Sequence, residues 1–144
     1  HTLAAGLSDS PGGLAAWILE NFYGWSDCGG YVGNRFTKDQ LLTNISLYWH
    51  TQTVASSFAP YYDTLHASAF TWIGEKIKEW TGASSVPAGS AIAPKENANP
   101  PREWAARFFN VQRWTVLSQG GHFAALEQPK VLAHELAEFF NTVR

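Results

Sequence analysis

The sequence predicts an α/β fold in which two parallel strands with flanking helices follow a helical segment. Three observations carry that prediction. Apolar residues recur at helical spacing up to Gly82, whereas beyond it two short apolar runs, 86–93 and 111–117, each precede a helical pattern. A strand–helix–strand order closes by a right-handed crossover, which makes the two strands parallel. The triplet Gly120-Gly121-His122 then stands just past the second run, at the sheet edge where open α/β folds carry their functional loops.

The elements read in order as follows. Ser10-Pro11 starts a helix, with serine as N-cap and proline at the first helical position, and Leu14, Trp17, Ile18, Phe22 and Trp25 mark its apolar face. Asp27-Cys28-Gly29-Gly30 ends it in a Gly-rich loop reaching to Arg35. Thr37-Lys38-Asp39-Gln40 has the form of a capping box and opens a second helix through Leu41, Leu42, Ile45 and Trp49. Pro60 is expected to interrupt the pattern, with Tyr61-Tyr62-Asp63 just beyond it, and a third helical stretch is expected over 69–80. After the first strand, Pro100-Pro101 open a helix through Trp104, Phe108 and Phe109. The last helix covers 129–143, with Val131, Leu132, Leu136, Phe139 and Phe140 on one face. Residues 1–82 and 83–144 are therefore two unlike pieces.

Composition excludes several classes. The 144 residues suffice for one domain, which at this size buries about two-thirds of its unfolded surface. Charged residues make up 15% and hydrophobic ones 45%, the balance of a soluble globular chain; its compartment is left open, with the cytoplasm as the expectation. A net charge of -2 without a basic stripe speaks against nucleic acid as a partner. The longest apolar runs fall short of a membrane span, and no signal-peptide pattern is present. Cys28 is the only cysteine, so no disulfide framework or cysteine-rich zinc site forms within the chain. Seven tryptophans suit a thick core and equally an apolar ligand pocket. The chain starts at His1 and has no methionine, so the translation product is expected to extend upstream. Parallel strands are normally buried on both faces of larger sheets. The missing strands are accordingly expected from residues preceding His1, in the same polypeptide or held as a separate chain.

His122 is the foremost candidate for chemistry. An isolated histidine is ordinarily a surface or core residue, but a strand-end position after two glycines lets other groups come close. An imidazole titrating near neutrality suits a general base, provided a partner fixes its tautomer. Glu96 fills that role best: it lies in Pro94-Lys95-Glu96-Asn97, just past the first strand, so adjacent parallel strands bring both loops to one edge. The plain alternative for Glu96 is a solvated loop carboxylate. Glu127 is nearer in sequence but sits at a helix start, where the dipole favours a carboxylate in any event. No Gly-x-Ser-x-Gly elbow supplies a nucleophile, and the five histidines lack paired zinc-ligand spacing. Neither a metal nor an organic cofactor is called for.

Three blocks carry a family resemblance. Leu7-Ser8-Asp9-Ser10-Pro11 leads into Gly13-Leu14-Ala15-Ala16-Trp17-Ile18-Leu19-Glu20; Asp39-Gln40-Leu41-Leu42-Thr43-Asn44 is followed by Leu47-Tyr48-Trp49; and Gly120-Gly121-His122-Phe123-Ala124-Ala125-Leu126-Glu127 closes the set. Together they resemble the C-terminal part of the microsomal-type epoxide hydrolases. The likeness runs over nearly the whole chain and is weakest over 65–85. The histidine block is shared by many α/β-hydrolases, whereas the other two in this order are far more specific.

That resemblance implies a helical cap, or lid, over 1–82 and the C-terminal part of an α/β-hydrolase core over 83–144. It implies an aspartate nucleophile that opens an epoxide to an aspartyl ester, which water activated by His122 and oriented by Glu96 hydrolyses to a vicinal diol. Two cap tyrosines hold and protonate the epoxide oxygen; Tyr61 corresponds to one of them, with Tyr62 as its rival because the stretch around Pro60 can shift by one. Tyr61, Phe123 and Trp49 are the candidate substrate-lining residues. The aspartate and the other tyrosine belong to a region before this chain, so the implied partner is the N-terminal portion of the same enzyme and the substrate a small lipophilic epoxide. A homo-oligomer is left open. The residues alone also leave open another α/β-hydrolase, a haloalkane dehalogenase or an esterase, and a non-catalytic binding module on the same scaffold.

Overall fold

A computed structural model describes residues 2–66 and 84–144. The helical stretch expected over 69–80 and the junction at Gly82 lie outside the described residues. The chain divides into two compact units, 2–21 with 37–66 and 22–36 with 84–144. A cut at residue 82 drawn from sequence character does not anticipate that 22–36 folds with the strands.

The first unit is helical. It holds α1 (Thr2–Asp9), most of α2 (Pro11–Trp25), α3 (Lys38–Thr51), α4 (Val54–Ser57) and α5 (Ala59–His66). Ser10 separates α1 from α2: its Oγ accepts from the Gly13 N–H at 3.0 Å and its carbonyl from the Leu14 N–H at 2.9 Å. The side chain thereby satisfies one of the amides that a helix start leaves unpaired, and the carbonyl accepts the first regular bond of the helix. α1 has no buried residue, and Leu3 and Leu7 are its only large apolar residues, too short a repeat for periodicity to reveal it. Thr37 and Gln40 form a reciprocal capping box, and α3 buries Leu41 and Ile45 on one face. Gln52 stops α3 in the left-handed conformation, φ 56°. Trp17 meets Phe58 edge to face at 6.1 Å.

Pro60 does not interrupt a helix. It is the second residue of α5, where a missing N–H costs nothing because first-turn amides have no intrahelical acceptor. Tyr61 and Tyr62 therefore stand on the first turn of a helix rather than in a loop.

The second unit is built on β1 (Pro87–Ile92) and β2 (Asn110–Val116), paired in parallel from Pro87↔Asn110 to Ile92↔Val116. The crossover contains α6 (Arg102–Ala105). It is shorter than the helix expected to run to Phe109. The N–H groups of Phe108 and Phe109 both turn back to the Ala105 carbonyl, at 3.0 and 2.9 Å, and Asn110 already belongs to the strand ladder. α7 (Ala124–Glu127) and α8 (Pro129–Thr142) follow β2. α8 lies on the strand pair: the Phe139 ring covers Gly89, where a Cβ would come within 2.7 Å of it, and Arg113 Nε bonds Glu135 Oε2 at 2.8 Å. Its apolar face is only partly covered, since Leu136 and Phe140 stay about half exposed, and Val116 on β2 is open to solvent. Among the described residues of this unit, Phe22, Cys28, Phe36, Ala93 and Leu117 are the buried apolar ones.

Pairing continues past the strands. The Lys95 N–H bonds the Gly120 carbonyl at 3.0 Å, and Lys95 and Gly121 form a further parallel bridge. The loops bearing Glu96 and His122 thus leave the sheet side by side.

Candidate active site

Local backbone chemistry sets the histidine loop. Gly120 has φ 113°, open to glycine and strained for other residues. Gly121 is needed for closeness instead: a Cβ there would lie 2.5 Å from the Trp25 carbonyl oxygen and 2.9 Å from Ser26 Cα. With no side chain in the way, the His122 N–H reaches the Trp25 carbonyl at 2.8 Å. Asp27 Oδ2 accepts from the Gly120 N–H at 3.0 Å, and Arg35 ties Asp27 to the loop by bonding the Asp27 carbonyl at 2.7 Å and Gln119 Oε1 at 3.1 Å.

His122 Nδ1 and Glu96 Oε1 are 2.8 Å apart. Glu96 also accepts from the Asn97 N–H at 2.7 Å. The hydrogen bond from His122 is the main influence holding the Glu96 carboxyl below its ordinary range; partial burial works against it, and the Asn97 amide and the histidine charge reinforce it. With Nδ1 directed at a carboxylate, Nε2 is the nitrogen left to exchange a proton with a water or a substrate. The imidazole is 45% exposed, so a ligand or water has access to it. The Trp25 and Phe123 rings both stand edge-on to the imidazole at 5.3 Å. Phe123 itself stacks on Phe22, and Phe36 closes the cluster edge-on to both.

The structure therefore brings His122, Glu96 and Phe123 together within the second unit. Tyr61, Tyr62 and Trp49 belong to the first unit. The Tyr61 and Tyr62 side chains are largely exposed on α5, and Trp49 lines a shallow depression with Leu7, Leu14, Tyr48 and Val54. Glu127 does not pair with His122. It is buried, and its carboxylate accepts from the N–H groups of Asp27, Gly121 and Phe123 at 2.8, 3.1 and 3.2 Å. Trp25 and Asp27 thus shape the site with no sequence signal beyond the Gly-rich stretch after Asp27, and Glu127, a rival for the histidine's partner by sequence, shapes it through backbone amides instead. Cys28 is buried, its thiol directed to the Tyr23 carbonyl at 3.5 Å, which does not suit an attacking group. Among the described residues no cluster of histidine, cysteine and carboxylate side chains could hold a metal ion, and no helix is long and apolar enough to cross a membrane.

No family model matches the chain. Individual proteins do. A Stigmatella aurantiaca protein, named provisionally as an epoxide hydrolase, is 39% identical over 100% of this chain and 31% of its own length. Epoxide hydrolase 1 of Sus scrofa is 36% identical over 96% of this chain and 31% of its own length. In structure, the chain is similar to juvenile hormone epoxide hydrolase of the silkworm Bombyx mori, with a TM-score of 0.82 at 30% identity, covering 98% of this chain and 36% of that one. The chain spans under two-fifths of the length of these relatives. Its strand pair and flanking helices are those of an α/β-hydrolase. The chain belongs to the epoxide hydrolase family of the α/β-hydrolases, and it matches the C-terminal portion of those enzymes.

Proposed function

We propose that this chain supplies the proton-handling part of an enzyme that hydrolyses lipophilic epoxides to vicinal diols. The observation that carries the reading is the 2.8 Å contact between His122 Nδ1 and Glu96 Oε1 at the carboxyl ends of two parallel strands. Such a pair fixes the tautomer that leaves Nε2 free to act as a base and supports the imidazolium once it forms.

The reaction has two steps. A carboxylate oxygen of an aspartate, contributed by the N-terminal portion, attacks an epoxide carbon; the strained C–O bond breaks, and the oxygen takes a proton from a tyrosine phenol. This yields a hydroxyalkyl ester of the aspartate. His122 then removes a proton from a water that adds to the ester carbonyl. On collapse the imidazolium returns that proton to the departing diol oxygen, and the proton left on the aspartyl carboxyl goes to the tyrosinate, which releases the diol and regenerates the carboxylate, the phenol and the neutral imidazole. Tyr61 is our choice for a proton donor, with Tyr62 as the rival. A phenol, with a pKa of about 10, stays protonated at neutral pH and can donate. The aromatic side chains suit an apolar substrate, and Phe123 beside the imidazole is a candidate wall of its pocket. In domain terms, 1–82 serves the cap and 83–144 the core, with 22–36 lending its residues to the histidine loop.

The test uses the full-length protein containing this chain. A lipophilic aryl epoxide, a haloalkane and a carboxylic ester are offered side by side, and a single turnover of the epoxide is run in 18O-labelled water. Diol formed from the epoxide alone, with its added oxygen unlabelled in that first turnover, supports the reading. Turnover confined to the haloalkane or the ester, or binding of epoxide without any diol, overturns it.

A further inference from the structure

We propose that Glu127 is a positioning residue, whose buried carboxylate sets the aim of the His122 imidazole toward Glu96 and the attacking water. The inference rests on the function proposed above for His122. Its basis is the pattern of amides around residue 122. Glu127 Oε1 accepts from both flanking amides, Gly121 at 3.1 Å and Phe123 at 3.2 Å. The amide between them, that of His122, is held by the Trp25 carbonyl at 2.8 Å. Glu127 Oε2 accepts from the Asp27 N–H at 2.8 Å, so the carboxylate joins the histidine loop to the same turn that carries the Trp25 acceptor. Three consecutive amides are thereby fixed from two sides, and only side-chain torsions remain to aim the ring.

The carboxylate chemistry matters here. A buried carboxylate is tolerated when its oxygens are hydrogen-bonded, and bonds from amides to an ionised acceptor are stronger than neutral ones. Glutamine would offer a single oxygen: it could keep the pair at Gly121 and Phe123 while turning an NH2 group against the Asp27 N–H, donor against donor. Alanine would lose all three bonds. Misplacing a catalytic group by about 1 Å can cost roughly 100-fold in rate, so a loosened loop has a kinetic signature distinct from lost stability.

The experiment compares full-length wild type, Glu127→Gln and Glu127→Ala with Ile45→Val, a buried control in the first unit. The expected result is a fall in kcat of roughly 10- to 100-fold with KM falling alongside it, so that kcat/KM stays within about twofold because ester forms at the wild-type rate but accumulates, and the downfield Nδ1–H proton resonance of His122 broadened or lost. Ile45→Val should leave kcat and that resonance unchanged. Should the Glu127 variants fail to fold, Gly121→Ala displaces the same loop through its Cβ and is expected to give the same split between the two steps. A lowered melting temperature with unchanged kcat and an unchanged His122 resonance overturns the proposal. The resonance needs no substrate, so it tests Glu127 even if the wild-type protein hydrolyses no epoxide and the proposed function fails.

Discussion

The ring of Phe123 lies stacked on that of Phe22, centroids 4.4 Å apart and planes inclined by 16°. The residue directly after the candidate base is thus anchored to the last turn of α2, about 100 positions earlier in the chain. Phe22 is buried and also meets Phe36 edge to face. Replacing Phe22 with alanine should cost roughly 3–5 kcal/mol of stability, as expected for a large aromatic removed from a packed cluster. Chemical denaturation measures the loss, and a loss below 1 kcal/mol would mean that the cluster is not a core.

His122→Gln should leave the fold nearly unchanged, because the side chain is substantially exposed and its backbone bond to Trp25 does not involve the ring. Turnover should fall by roughly 100- to 10,000-fold, the usual contribution of a general base. Mass spectrometry of the intact protein should then reveal the trapped ester.

The pH response of Glu96 follows from its partner. Its folded-state pKa is depressed, chiefly by the hydrogen bond from His122. The stability it contributes is therefore present above the ordinary carboxylate pKa and is lost as pH falls through the lower folded value. Following the Glu96 carboxyl carbon by NMR should place its midpoint below that of a free glutamate. His122→Gln should raise the midpoint, and an unmoved midpoint would break the link between the two residues.

Thr37→Ala removes the N-cap of α3 and one half of its capping box. The expected cost is about 1 kcal/mol, read as a lowered melting temperature with the His122 resonance unchanged.

Where local chemistry is strong, the sequence was legible. The Ser10 and Thr37 caps, the two strands and the loops just beyond them each leave a pattern within a few residues. Pro60 shows the limit of such reading: proline breaks a helix interior but fits a first turn, and the sequence around it does not say which applies. α6 was overestimated because Trp104, Phe108 and Phe109 repeat at helical spacing although the chain turns back at Ala105 to enter β2. The sequence offers Glu127 only as a rival partner for His122 and hides its actual bonds for a different reason. Its partners are backbone amides, one of them 100 residues away, and an amide has no residue type to read.

The grouping of 22–36 with the strands bears on any attempt to dissect the molecule. A fragment begun at residue 84 would still encode both partners of the His122–Glu96 pair, yet would lack the Trp25 carbonyl, the Asp27 amide and the Phe22 ring. Such a fragment should express as a chain whose histidine wanders. Minimal versions of this protein must therefore retain the end of α2, however tidy a later starting point looks on paper.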